Sequence, residues 1–212
     1  MAVDVIPYEV KLDRDFPWAL REGSMHFEEN SAVQNTLKRI AKRLDELGIP
    51  YAIAGGMALY YHGYRRFTED VDIVVNRDGL NQIHAHLDGL GYLPPFQGSK
   101  NLRDTDTGVR IEFLVSGDYP GDGKPKPVVF PNPELTKTEV KGMKFLPLAT
   151  LIDMKLASGM TNPRRGRDLL DVQELIDHLK LDESFAEKLN PYVRPKFLEI
   201  LTMLRDNPVT PE

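Results

Sequence analysis

The chain has 212 residues, 41% of them hydrophobic and 28% charged, with a formal net charge of −5 at pH 7. That length and composition provide for one sizeable core, or for one core with a small helical appendage. Cysteine is absent, which excludes disulfides and thiolate metal sites; no apolar run approaches a bilayer span and no basic-then-apolar leader is visible, so a cytoplasmic protein without a membrane partner is expected.

Residues 1–30 show little periodicity, with Pro7, Pro17 and Gly23 interrupting, and read as an irregular N-terminal arm. Ser31 and Gln34 then have capping-box spacing, and Val33, Leu37, Ile40, Leu44 and Leu47 recur on one helical face until Gly48. Residues 51–54 form a short apolar strand pattern, and residues 56–62 a short helix ended by Gly63. Residues 70–75 read as a strand, and Leu80, Ile83, Leu87 and Leu90 mark a second amphipathic helix closed by Gly91. A further strand over 109–115 follows the polar turn of residues 104–108. Glycines and prolines punctuate 117–133, which predicts a long structured loop or lid. From Pro147 the pattern is helical over 148–158, 167–179, 183–189 and 191–205. The expected fold is α/β, with a small mixed sheet and flanking helices over 31–146, followed by a helical part over 147–212.

Two features carry chemistry. Gly55-Gly56 lies between a strand and a helix, where free backbone N–H groups and missing side chains suit a phosphate. Asp70 and Asp72 stand at i and i+2 of a strand and share one face with Val74, while Glu112 and Leu114 share a face of the 109–115 strand. Laid side by side, the two strands would bring Asp70, Asp72 and Glu112 together. Three carboxylates in a partly dry site repel one another and need cations to stay ionised. Their hard oxygens suit Mg²⁺ or Mn²⁺, which keep several waters and bind triphosphate oxygens. Of two such ions, one would neutralise a triphosphate and the other would activate an attacking hydroxyl. Each motif alone is common in proteins that bind no ligand; their order along the chain is what singles them out.

The run Gly55-Gly56, Asp70-x-Asp72, Ile111-Glu112-Phe113 resembles the nucleotidyltransferase superfamily typified by DNA polymerase beta. Within it, the likeness is closer to the bacterial abortive-infection and toxin–antitoxin enzymes of the AbiEii type, over roughly residues 35–180. The resemblance implies a polymerase beta-like core in which the glycine motif holds the triphosphate and the three acids bind two divalent metals. It also implies an antitoxin partner. Two residues depart from the pattern: Gly56 stands where many relatives have serine, and Glu112 where aspartate is more usual.

Basic residues complete the candidate site. Arg66 precedes the acidic strand, as a phosphate contact or as a structural partner of Glu69 or Asp70, with the structural role favoured. His62, at the end of the short helix, reads as a packed or capping residue. Lys155 falls near the centre of the apolar arc formed by Leu148, Leu151, Ile152 and Leu156, so it requires a partner, and Asp168 on the next helix is the candidate. With the intervening Arg164-Arg165-Gly166-Arg167, these residues resemble the basic-then-acid motif of the toxin-like enzymes, which implies that Lys155 binds the triphosphate or activates the nucleophile while Asp168 orients it. The reaction so implied is transfer of a nucleoside monophosphate from an NTP to an acceptor hydroxyl on an RNA 3′ end such as that of tRNA, on a small molecule, or on a protein. Residues 120–167 carry nine Lys/Arg against four Asp/Glu, which favours RNA, whereas the acidic remainder favours a cationic acceptor. The alternative is a catalytically silent nucleotide-binding or partner-regulated protein.

Overall fold

In the computed structural model, residues 5–208 are described. Three helices come first, α1 (Tyr8–Arg14), α2 (Phe16–Phe27) and α3 (Ala32–Glu46), then β1 (Tyr51–Ile53), α4 (Gly55–Tyr61), β2 (Asp70–Val75) and α5 (Arg77–Leu87). The strands β3 (Tyr92–Leu93), β4 (Leu102–Asp104), β5 (Arg110–Val115), β6 (Thr138–Val140) and β7 (Met143–Phe145) follow. The chain then continues through α6 (Leu148–Thr161), α7 (Gly166–Leu179) and α8 (Arg194–Asp206), with short 3-10 helices at Pro163–Arg165 and Glu183–Lys188. The strands form one mixed sheet in the order β3-β4-β5-β2-β1-β7-β6, so the expected α/β class with a helical C-terminal part is what the chain adopts.

The two long central strands, β2 and β5, are parallel and in register, with Asp70 opposite Arg110, Asp72 opposite Glu112 and Val75 opposite Val115. On one face of each strand every side chain is apolar: Val71, Ile73 and Val75 on β2, and Ile111, Phe113 and Val115 on β5, all buried. Into the same core α3 sends Val33, Leu37, Ile40 and Leu44, each fully or almost fully buried. Burial of one such side chain contributes about 1.5–3 kcal/mol. Ser31 caps α3 by accepting from the Gln34 N–H at 3.3 Å, as its position in the sequence predicts.

Residues 1–30 are not an irregular arm where they are described. Pro7 lies at the N-terminal boundary of α1, and Pro17 occupies the first turn of α2, whose cap is Asp15 accepting from the Trp18 N–H at 3.1 Å. Proline interrupts a helix interior but suits a first turn, where no N–H is required, so these prolines start helices. The arm is anchored. Tyr8 is fully buried and donates to Glu22 at 3.0 Å, the same Glu22 oxygen accepts from the Ala32 N–H at 2.9 Å, and Arg103 grips Glu9 with two nitrogens.

Four short strands went unread in the sequence because two or three residues are too few for an alternation to register. The β6–β7 hairpin turns on Lys141 (φ 49°) and Gly142 (φ 76°), a two-residue left-handed turn of the kind that matches strand twist. The helical pattern at 183–189 is realised as a 3-10 helix over Glu183–Lys188. Residues 117–133 form no helix or strand, as expected, but they are tied down: Gly117 and Phe130 are joined backbone to backbone at 2.9 Å, and Asn162 and Asn190 donate to Gly121 and Pro127.

Candidate active site

The glycine pair, the acidic strands and the basic helices meet in one open cleft of about 760 Å³. Gly55, Gly56, Arg66, Asp70, Asp72, Glu112, Lys155 and Asp168, all singled out from the sequence, line it. The parallel β2–β5 register puts Asp72 beside Glu112 with Asp70 one pleat away, and ligand oxygens of the three carboxylates lie within 4.8 Å of one another. Burial and the neighbouring Asp70 and Glu112 push the Asp72 carboxyl well above the usual carboxylate range. A site that so disfavours its own negative charge is one that a cation stabilises.

The glycines are required by close approach. Gly55 has a φ of +57°, and a Cβ built on it would lie 1.7 Å from Asp72 Oδ2. At Gly56 a Cβ would come within 2.6 Å of Thr68 Oγ1 and 2.7 Å of Thr68 Cβ, so position 56 has no room for a serine. The Thr68 side chain fills that volume and donates to Asp70 Oδ1 at 3.0 Å.

Lys155 is buried and has two partners. Its Nζ donates to Asp168 Oδ1 at 2.9 Å, as the sequence leads one to expect, and to Asp171 Oδ2 at 2.6 Å. Asp171 is also the partner of Arg66, accepting from Nε at 2.8 Å and from Nη2 at 3.0 Å. Arg66 therefore pairs with neither Glu69 nor Asp70; its side chain crosses to α7 while its carbonyl meets His26 Nε2 at 3.1 Å. Asp171 was missed, although it lies three residues after Asp168 on the same helix face and ahead of the apolar row Val172, Leu175. His62 is a packed residue, its Nε2 2.8 Å from the Leu146 carbonyl and its imidazole held below the usual histidine range by burial.

Arg110 was also missed. Its Nη2 stands 2.7 Å from Glu112 Oε1 and 3.2 Å from Asp70 Oδ2. Arg164, Arg165 and Arg167 also line the cleft, and they take part in none of the ion pairs formed among the described residues. Pro120, Gly121 and Phe130 of the 117–133 loop close one side. A Cβ on Gly121 would lie 2.8 Å from the Ser158 carbonyl, so the loop is seated directly on the end of α6.

The family model of the AbiEii nucleotidyl transferase toxin, type IV toxin–antitoxin system, matches residues 39–202. The chain belongs to the AbiEii nucleotidyltransferase family. The matched span runs from α3 into α8 and takes in every residue of the triad and of the basic wall. Among solved structures, the crystal structure of ANT(2")-Ia in complex with adenylyl-2"-tobramycin is similar at 13% identity, with a TM-score of 0.51 over 78% of this chain and 96% of that one. The solution structure of ANT(2")-Ia, an antibiotic-resistance factor, aligns at 16% identity with a TM-score of 0.52 over 82% and 95%. An antigenic nucleotidyltransferase-like protein from Paracoccidioides brasiliensis aligns at 19% identity with a TM-score of 0.50 over 82% and 88%. At these identities the likeness is one of fold. No curated protein matches the sequence significantly. AbiEii membership makes the chain a nucleotidyltransferase, and among its described residues no helix is long and apolar enough to cross a membrane.

Proposed function

We propose that this AbiEii-family enzyme is a divalent-metal-dependent nucleotidyltransferase that moves a nucleoside monophosphate from an NTP to the hydroxyl of an RNA end. The observation that carries this reading is the convergence of Asp70, Asp72 and Glu112, with oxygens within 4.8 Å, in a cleft also lined by Lys155 and three arginines. All three donors are hard carboxylate oxygens, which fit Mg²⁺ or Mn²⁺. Asp70 and Asp72 would hold two ions and Glu112 the one on the acceptor side; when bound, they supply charge neutralisation and a more nucleophilic acceptor oxygen.

The chain's own residues do the rest by positioning. The Gly55–Gly56 turn offers backbone N–H donors to triphosphate oxygens, the Thr68 hydroxyl donates to Asp70 and orients that carboxylate, and Lys155, held by Asp168 and Asp171, sets a fixed positive charge in the same cleft. Arg66, held by Asp171, fixes the loop that carries Thr68 and leads into Asp70 at the start of β2. The acceptor oxygen bonds to the α-phosphorus, the α–β bridge breaks, pyrophosphate leaves, and the hydroxyl proton passes to water at the open mouth. Such transfer needs little covalent help, so alignment and charge carry the rate.

An RNA acceptor is favoured by Arg164, Arg165 and Arg167, whose guanidinium groups suit phosphates and face the cleft without carboxylate partners among the described residues. Membership in a type IV toxin–antitoxin family supports a cytoplasmic toxin role with a cognate antitoxin. The test is transfer of label from each of four [α-³²P]NTPs, with Mg²⁺ or Mn²⁺, into total RNA and separately into cell protein, with Asp72→Asn run alongside. Labelling of RNA by the wild type alone is expected. Labelling of protein alone would replace the acceptor, and nucleotide binding without label in either fraction would move the reading to a small molecule or to a silent binding protein.

A further inference from the structure

The acidic triad already has a cation beside it. Arg110 and Glu112 are two residues apart on β5 and so project from the same face of the sheet, and the register sets Arg110 directly opposite Asp70. A single nitrogen, Nη2, bridges the two outer acids, 2.7 Å from Glu112 and 3.2 Å from Asp70. The ion pairs among the described residues give Arg110 no acid outside the triad. Arg103, its neighbour across to β4, is occupied by Glu9 and by the Gly108 carbonyl. Asp70 and Glu112 find their ion pairs in Arg110, whereas Lys155 and Arg66 are held by carboxylates on α7.

We propose that Arg110 is a displaceable counter-ion of the triad, a positioning residue whose guanidinium holds Asp70 and Glu112 together until a divalent metal takes its place. This rests on reading the triad as a metal site. The guanidinium and the metal want the same oxygens, and a dication bound to three carboxylates gains more than one nitrogen shared by two. The side chain is 42% exposed, so it has room to turn outward to water when displaced. Its removal has a sign that separates two roles. A residue that only braced the acids would weaken metal binding when removed; a competitor for their oxygens would strengthen it.

The experiment is calorimetric titration of the full chain with MnCl₂, without nucleotide and at low ionic strength, on the wild type, Arg110→Gln, Arg110→Lys and Asp72→Asn. The expected result is that Arg110→Gln binds Mn²⁺ on the order of tenfold more tightly than the wild type. Arg110→Lys, which keeps the charge, stays within about threefold, and Asp72→Asn loses at least about tenfold. Affinity that is equal or weaker in Arg110→Gln, with the wild type binding and Asp72→Asn impaired, overturns the counter-ion role and leaves the metal site standing. Measurable and equal Mn²⁺ binding by the wild type and Asp72→Asn, or no binding by any of the four proteins including Arg110→Gln, overturns the metal reading and the counter-ion with it. A thermal melt of each variant at the titration temperature confirms that a folded protein is being compared.

Discussion

Asp171 offers the sharpest test of how the basic wall is built. Its side chain is only 3% exposed, yet it accepts from Lys155 at 2.6 Å and from Arg66 at 2.8 and 3.0 Å. Replacing it with alanine leaves two cations short of their shared acceptor, and breaking a buried pair costs about 3–5 kcal/mol. The lower end applies, because Lys155 keeps Asp168 at 2.9 Å and Arg66 keeps the Phe67 carbonyl at 3.0 Å. We expect Asp171→Ala to lose about 3 kcal/mol, which for a chain of this size lowers Tm by about 6–12 °C. Urea unfolding followed by circular dichroism at pH 7.5 measures it, with Lys155→Met and the double variant completing a cycle. Removing Lys155 removes one of the stranded charges, so the double variant should lose less than the sum of the single losses by at least about 1 kcal/mol. A loss below about 1 kcal/mol for Asp171→Ala, or full additivity, would refute the shared-acceptor account.

Two further substitutions probe other parts of the molecule. Gly55→Ala puts a Cβ 1.7 Å from Asp72 Oδ2 at a left-handed φ, so Asp72 must move; turnover should fall about 100-fold and stability by about 1–2 kcal/mol, and near-normal turnover in a pyrophosphate-release assay would contradict the close approach. Asp153 accepts from the Asn190 N–H at 2.9 Å, and burial pushes its carboxyl up to about 6. A pKa raised on folding penalises the folded state above pH 6, and the penalty fades as the pH falls through 6 toward 4. Asp153→Asn keeps the acceptor and removes the charge. It should therefore stabilise the protein by about 1 kcal/mol at pH 7.5, the figure reduced for partial exposure, and by almost nothing near pH 4; paired urea melts at the two pH values decide it.

What could be read beforehand was set by how much local pattern each feature has. The strands β2 and β5 are each six residues long, with a strict apolar face, so their pairing and the meeting of Asp70, Asp72 and Glu112 followed from period-two alternation. Lys155 stood out because a lysine inside an apolar helical arc conflicts with burial unless a carboxylate answers it, and Asp168 does. Arg66 shows the limit: its partner, Asp171, is 105 residues away, and no local spacing encodes that meeting. Gly56 depends on the same kind of long-range information, since only the packed loop shows that Thr68 fills the space a serine would need. The N-terminal helices were lost to a different cause. Proline has one meaning inside a helix and the opposite in its first turn, and the residues flanking Pro7 and Pro17 have too little periodicity to say which applies.

The central claim is that the triad, the glycine turn and the basic wall are one nucleotide site. Diffraction from crystals grown with Mn²⁺ and an NTP whose α–β bridge cannot be cleaved, recorded at the manganese edge, tests it most directly. The expected map has anomalous density among Asp70, Asp72 and Glu112, Arg110 turned away from them, and the triphosphate lying between Gly55–Gly56 and Lys155. Anomalous density elsewhere, or a triphosphate bound away from the glycine turn, would contradict it.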